Sequence, residues 1–248
     1  MTDLQAILDA GGPWQQARIV GDQLLIQGDC REVMAVLSSE CVVISDPPYG
    51  IGYIHSGKSG ASAKWHKAKR APIKNDDKPF DPSAMMGFSE VLIWGADHYR
   101  ERLPSGGRFL AWNKLGEMPS MQDSFSNVEF AWHSKKGKSD IVSVTWKGLI
   151  KTGSGENGRE TFHPSQKPLK VMEWSIGQVS DVSRTILDPF MGSGTTLVAC
   201  QRLGRQGIGI ELDESYFEIA CKRVQEVVNN PPLFKPAPPK PTQEALEL

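Results

Sequence analysis

Thr185-Ile186-Leu187-Asp188-Pro189-Phe190-Met191-Gly192-Ser193-Gly194-Thr195-Thr196 runs directly into Leu197-Val198-Ala199-Cys200. A short apolar run ends in an aspartate and a proline, a glycine-rich turn follows, and an apolar stretch at helical spacing begins. That order reads as strand, loop, helix. Glycines in such a loop allow a tight turn or a close approach of backbone to ligand. The next apolar run, Gly207 to Ile210, ends in Glu211, 17 residues after Gly194. An acidic residue at about that distance is where a doubly wound fold grips ribose hydroxyls.

The loop departs from the two common phosphate cradles. It lacks the Gly-Lys-Ser/Thr of a nucleoside-triphosphate loop, and no third glycine completes a dinucleotide fingerprint. Asp188 at the mouth of the loop repels a pyrophosphate. It suits a cationic or neutral ligand instead, such as the amino group of S-adenosylmethionine.

Upstream, the apolar run Cys41-Val42-Val43-Ile44 leads into Asp46-Pro47-Pro48-Tyr49. A buried strand ending in a carboxylate, two prolines and an aromatic ring presents one acceptor, one rigid carbonyl and one stacking surface to a planar, amine-bearing group. Proline fixes φ and carries no N–H, and each residue before a proline is held extended. The Asp46 carboxylate and the Pro47 carbonyl, binding the two N–H groups of a nucleobase amine, favour a pyramidal nitrogen and free its lone pair for attack on a methyl group. Tyr49 stacks on the base, a contact worth roughly 1–3 kcal/mol in nucleic-acid sites. The base leaves the duplex at a cost of a few kcal/mol.

The chain has 248 residues and ordinary composition, with 39% hydrophobic and 23% charged residues, enough for one domain with a sizeable core. The four cysteines (Cys30, Cys41, Cys200, Cys221) have no metal-ligand spacing and read as reduced thiols of a cytoplasmic protein. No signal sequence or apolar run of membrane-spanning length is present in these residues, so no membrane partner is expected; no metal is expected either, since the cysteines lack ligand spacing and His163 has no second ligand in register. The net charge of −1 hides an uneven distribution. Residues 54–75 hold Lys58, Lys64, Lys67, Lys69, Arg70 and Lys74 and no acid; residues 133–151 hold Lys135, Lys136, Lys138, Lys147 and Lys151 against Asp140. Outside these windows 17 basic residues face 28 acidic ones. Two basic segments in an otherwise acidic chain point to a polyanion, with Lys58, Lys64, Lys67, Lys69, Arg70, Lys135, Lys136 and Lys138 as the contacts.

Strands are predicted over 18–27 (a pair turning at Gly21-Asp22), 41–44, 90–94, 108–112, 128–133, 141–146, 185–187 and 207–210. Helices are predicted over 31–37, 82–86, 99–103, 168–179, 195–203 and 215–228. Residues 1–17 are weakly patterned. Residues 50–75 and 147–160 read as long loops, and the Pro-rich tail 230–248 as extended or disordered. Trp94-Gly95-Ala96-Asp97-His98-Tyr99 follows a strand near the base pocket, although a strand end with a packed tryptophan is the plainer reading. Trp112-Asn113-Lys114 reads the same way. Strands alternating with helices predict an open α/β sheet with ligands at the strand C-termini.

Together these motifs resemble the DNA amino-methyltransferases, which modify adenine N6 or cytosine N4, over about residues 27–228. Asp46-Pro47-Pro48-Tyr49 resembles the catalytic motif and Asp188–Thr196 the cofactor loop. His163-Pro164-Ser165-Gln166-Lys167-Pro168 resembles the segment lining the methionine end of the cofactor. Glu211 resembles the ribose-binding strand end, and Asp29 the aspartate beside the cofactor adenine. Motif order is that of the circularly permuted β group. The resemblance implies a Rossmann-like methyltransferase fold whose seven-stranded, mostly parallel sheet has one antiparallel strand near an edge. It implies one domain over 1–229, with 54–75 a basic mobile loop and 132–162 the candidate target-recognition segment. It implies S-adenosylmethionine as cofactor, bound by Asp29, Asp46, His163, Ser165, Lys167, Pro168, Asp188, Phe190, Gly192, Gly194, Thr195, Thr196 and Glu211. Double-stranded DNA, a homodimer and a cognate restriction endonuclease are the implied partners.

Aspartate at position 46 resembles the adenine-N6 members; cytosine-N4 members more often carry serine there. The expected activity is therefore adenine-N6 methylation. Cytosine N4, RNA or a glutamine amide are alternative acceptors. A catalytically inactive DNA-binding relative, or a dinucleotide oxidoreductase, is a reading of another class. Intact Asp46, Tyr49 and glycine loop count against the former, and the incomplete glycine fingerprint against the latter.

Overall fold

The computed structural model describes residues 2–50, 78–116, 126–147, 150–151 and 166–231. The basic segment 54–75, His163, Ser165 and all but the first two residues of the tail lie outside these, as do the expectations attached to them.

Nine strands form one sheet. In chain order they are β1 (Gln16–Val20), β2 (Gln23–Gln27), β3 (Val42–Ser45), β4 (Glu90–Trp94), β5 (Arg108–Asn113), β6 (Val128–His133) and β7 (Asp140–Ser143), then, after a two-stranded hairpin of β8 (Trp146–Lys147) and β9 (Ile150–Lys151), β10 (Ile186–Asp188) and β11 (Gly207–Glu211). The spatial order is β1-β2-β11-β10-β3-β4-β6-β5-β7. From β2 to β4 the neighbours are parallel; β6 runs antiparallel between β4 and β5, and β7 is parallel to β5. The expected seven-stranded sheet with one reversed strand near its edge is the stretch from β2 to β5. It is widened by β1, the outer half of an antiparallel hairpin, and by β7.

Alternate residues of each strand point to opposite faces. Val42, Ile44, Leu92, Trp94 and Leu110 pack under α3 (Leu169–Gly177), α4 (Thr195–Leu203) and α5 (Glu214–Asn229). Val43, Val91, Ile93, Leu187 and Ile208 pack on the other side under α1 (Leu4–Ala10), α2 (Cys30–Met34) and Met85. The β3 side chains are fully buried on both faces, as a central parallel strand requires.

Two expectations shift. Residues 4–10 form a helix capped by Asp3, whose carboxylate accepts the Ala6 N–H at 3.0 Å. Its single buried residue, Leu4, leaves no apolar stripe to read. The helices expected at 82–86 and 99–103 are single 3-10 turns, Ser83–Met85 and Arg100–Arg102. Of the candidate recognition segment 132–162, residues 132–133 and 140–143 lie in the sheet, where Trp132 is 3% exposed and β7 pairs with β5.

Candidate active site

The C-termini of β2, β11, β10, β3, β4 and β5 lie along one edge, and so does the start of the reversed β6. This edge gathers Asp29, Glu211, Asp188, Asp46, Gly95, Lys114 and Glu129. Register accounts for Glu129: it stands opposite Trp112, two residues beyond the Trp94–Ala131 pair.

Asp188 is 3% exposed. Its carboxylate accepts Ser45 Oγ at 2.6 Å, the Phe190 N–H at 3.1 Å and Thr196 Oγ1. Burial pushes its pKa up to about 6, against the pull of these donors. The expectation of an open carboxylate at the mouth of the loop is corrected: Asp188 lies inside and ties β3, the turn and α4 together. Gly192 and Gly194 have positive φ, 52° and 81°. A Cβ at Gly194 would lie 2.8 Å from that of Ala220 on α5, so glycine there serves both the turn and helix packing. Thr195 and Thr196 are buried in the first turn of α4. From α5, buried Arg223 donates to the Ser193 carbonyl at 2.6 Å, Ser193 Oγ at 3.0 Å and Thr195 Oγ1 at 3.2 Å. Arg223 was not foreseen, since an arginine in an amphipathic helix gives no sign of facing inward.

Glu211 ends β11 half-buried, one oxygen accepting the Asp213 N–H at 2.8 Å. Burial raises its pKa more than the backbone N–H groups of Asp213, Gly192 and Leu212 lower it. A carboxylate in this state gains from further hydroxyl donors. Gly28 N–H binds the Glu211 carbonyl at 3.0 Å, which brings Asp29 to the same corner. Asp29 caps α2 through the Arg31 N–H at 2.9 Å and pairs with the Arg31 side chain, Oδ2 to Nη2 at 2.5 Å. The Phe190 ring meets Phe80 edge-on at 5.8 Å, and Phe80 meets Tyr99 at 5.0 Å.

The catalytic-motif residues form a tighter group. Tyr49 donates its hydroxyl to Asp46 Oδ1 at 2.5 Å and lies 2.8 Å from Glu129 Oε1. Lys167 Nζ is 3.0 Å from Asp46 Oδ1, 3.2 Å from the Tyr49 hydroxyl, and ion-paired with Glu129. Lys114 Nζ holds the other Glu129 oxygen at 2.8 Å. The Tyr49 ring stacks on His98 with centroids 4.8 Å apart. Burial opposes ionisation of Asp46 and Glu129 alike, and Lys167 opposes burial at both. The balance leaves Asp46 raised and Glu129, with Lys114 as a second partner, lowered to about 2. Pro47 is buried and Pro168 caps α3.

Lys167, expected at the cofactor's methionine end, thus contacts the catalytic motif. Glu129 and its contact with Lys114 were missed, because nothing in Val128–His133 marks that strand as reversed. Lys135, Lys136 and Lys138 are exposed in the turn after β6, at the opposite edge of the sheet. At about 3.4 Å per residue, the length of β6 separates them from Glu129 by roughly 17 Å or more. Their loop is held by Arg108, which donates to the Lys138 carbonyl at 2.9 Å.

Carboxylates and a glycine loop at the C-terminal edge of a doubly wound sheet define an α/β protein of the nucleotide-cofactor type. A family model described as DNA methylase, covering the N6 and N4 enzymes, matches residues 41–222, and the chain belongs to that family. It is similar to the type II methyltransferase M.ScaI of Streptomyces caespitosus, at 27% identity over 251 residues, covering 82% of this chain and 82% of that protein. It is also similar to the type II methyltransferase M.HinfI of Haemophilus influenzae, at 25% identity over 258 residues, covering 84% and 69%. Among solved structures, the PvuII DNA methyltransferase (cytosine-N4-specific) matches with a TM-score of 0.55 at 15% identity, covering 87% of this chain and 94% of that one. That likeness is one of fold.

Proposed function

We propose that this DNA methylase transfers a methyl group from S-adenosylmethionine to the N6 amine of an adenine flipped out of duplex DNA. The observation that carries the reading is the state of Asp46. Among the described residues, both side-chain contacts to it fall on Oδ1, which leaves Oδ2 for a ligand, and its side chain is 18% exposed. The donor set fits the cofactor: Glu211 is a buried acceptor that ribose hydroxyls can supplement, Asp29 lies beside it, and the Asp188–Thr196 turn is braced from within.

When bound, the cofactor supplies an electrophilic methyl group on a sulfonium. The chain's own residues do the rest. Asp46 Oδ2 and the Pro47 carbonyl accept the two N–H groups of the amine, which localises the lone pair on nitrogen. A comparable positioned group contributes about 2.7–4 kcal/mol. Asp46 Oδ2 also takes the proton that the methylated nitrogen sheds. Aspartate at position 46, as in the adenine-N6 members that the motif resembles, is what favours adenine over cytosine. The exposed apolar row Phe109, Phe130 and Ile141 on neighbouring strands offers a homodimer a surface, and a partner endonuclease follows from the resemblance alone.

The test is transfer of labelled methyl to duplex DNA and to RNA of matched sequence. Label enters the duplex, and Asp46→Ala abolishes it while the melting temperature persists. Label in RNA alone, or full activity in Asp46→Ala, refutes the reading.

A further inference from the structure

We propose that Lys167 is a positioning residue for Asp46: braced by Glu129, it holds Oδ1 and balances the Asp46 charge, so that Oδ2 meets the acceptor amine as an unprotonated acceptor. This rests on the reading of Asp46 given above.

Lys167 immediately precedes Pro168, whose extended backbone (φ −60°, ψ 139°) starts α3 and fixes the approach of the side chain. Its ammonium lies 5.1 Å from the ring centroid of Trp94 and 5.6 Å from that of Trp112, two indoles buried in the core. Only 6% of the side chain is exposed. An ammonium in that position is stripped of water, and its charge is met by Asp46 and Glu129. Lys114 completes an alternating row: Asp46, Lys167, Glu129, Lys114. Two carboxylates and two ammonium groups leave the row neutral. Each end matters: Lys114 anchors Glu129, Glu129 anchors Lys167, and Lys167 anchors the catalytic carboxylate.

The groups facing Asp46 are the Tyr49 hydroxyl from its own loop, Lys167 from the segment before α3, and Glu129 from β6. Lys114 acts through Glu129, His98 lies on the Tyr49 ring, and Tyr99 and buried Asp188 stand further off. Lys167 pulls the Asp46 pKa down, while burial and Glu129 push it up. Without the ammonium, two buried carboxylates share one tyrosine hydroxyl, and like charges so placed cannot both stay ionised. Asp46 then takes the proton and becomes a donor where the reaction needs an acceptor.

Opposite shifts follow from the two partners. In Lys167→Met, whose apolar side chain can rest against the two indoles, the acid limb of kcat against pH moves up by about two units or more. Activity near neutrality falls about tenfold or more and recovers at higher pH, while the cofactor Kd stays within about threefold. Lys167→Arg keeps the wild-type limb. In Glu129→Gln the limb moves down, because a neighbouring negative charge is gone, and the plateau drops. A merely structural role produces no opposed shifts. Infrared spectra supply a readout independent of turnover: a protonated-carboxyl stretch at neutral pH in Lys167→Met, absent from the wild type and from Lys167→Met/Asp46→Asn. A weakened cofactor Kd with an unmoved limb, or no protonated carboxyl in Lys167→Met, overturns the proposal. A wild-type protein that methylates nothing refutes the parent reading, and the infrared band still decides this one.

Discussion

Gly95→Ala tests how Tyr49 is seated. Gly95 follows β4 with φ 76°, and a Cβ built there lies 2.0 Å from Tyr49 Cε1 and 2.4 Å from Cδ1 and Cζ. Ordinary contact begins at 3.4 Å, so the ring has to retreat by about 1.4 Å. It is not free to do so. Its hydroxyl is held by Asp46 at 2.5 Å and Glu129 at 2.8 Å, and His98 lies on one face. Left-handed backbone adds about 1–2 kcal/mol for a residue with a Cβ. A misplacement of about 1 Å in a reacting site costs on the order of 100-fold in rate. The expected variant therefore folds, melts a few degrees lower at about 2–4 °C per kcal/mol, and loses kcat about 100-fold. Its cofactor Kd stays within about threefold, because Gly95 is on the acceptor side. Methyl-transfer kinetics, calorimetric cofactor binding and a thermal melt measure the three quantities. Wild-type kcat, or a loss traced to cofactor affinity, refutes the reasoning.

Three further outcomes are expected. Arg223→Met removes the brace on Ser193 and Thr195; hydrogen bonds from a charged donor are worth about 1.5–3 kcal/mol, so calorimetry shows cofactor Kd rising about tenfold or more, and an unchanged Kd contradicts the brace. Glu90 is 1% exposed and accepts from Ser180 and His133; burial resists its ionisation, but these partners win and its pKa is lowered. Its stabilisation is thus present above the unfolded carboxyl pKa of about 4.3 and lost as pH falls through the folded value, so Glu90→Gln lowers the melting temperature at pH 7 and flattens its acid decline. Lys135→Ala/Lys136→Ala/Lys138→Ala leaves the salt dependence of DNA binding unchanged, because these residues lie at the far edge of the sheet; a slope reduced by about 0.9 per lost phosphate contact shows that DNA reaches them.

Much of this fold was readable where local pattern and tertiary role agree. The run from Thr185 to Cys200 is strand, turn and helix both in its residues and in its packing, and β3 is apolar throughout because both its faces are covered. The site was readable in its motif residues and less so in its partners. Asp188 looks from the chain like a carboxylate at a loop mouth; only the neighbouring strand brings Ser45 to it and turns it inward. Lys167 sits in a segment whose sequence points to the cofactor, yet its ammonium lies against two tryptophans and reaches Asp46. Glu129 depends on strand direction, which a single strand's pattern does not carry. The basic residues 135–138 are close in sequence to site residues and far from them in space for the same reason: β6 runs the other way.

The central claim is that Asp46 accepts from an adenine amine. Nucleoside mass spectrometry of duplex DNA, incubated with the purified protein and S-adenosylmethionine, tests it most directly. The account predicts N6-methyladenine with wild type and none with Asp46→Ala, which still folds. N4-methylcytosine, or unmodified DNA from a wild-type protein that binds both cofactor and duplex, contradicts it.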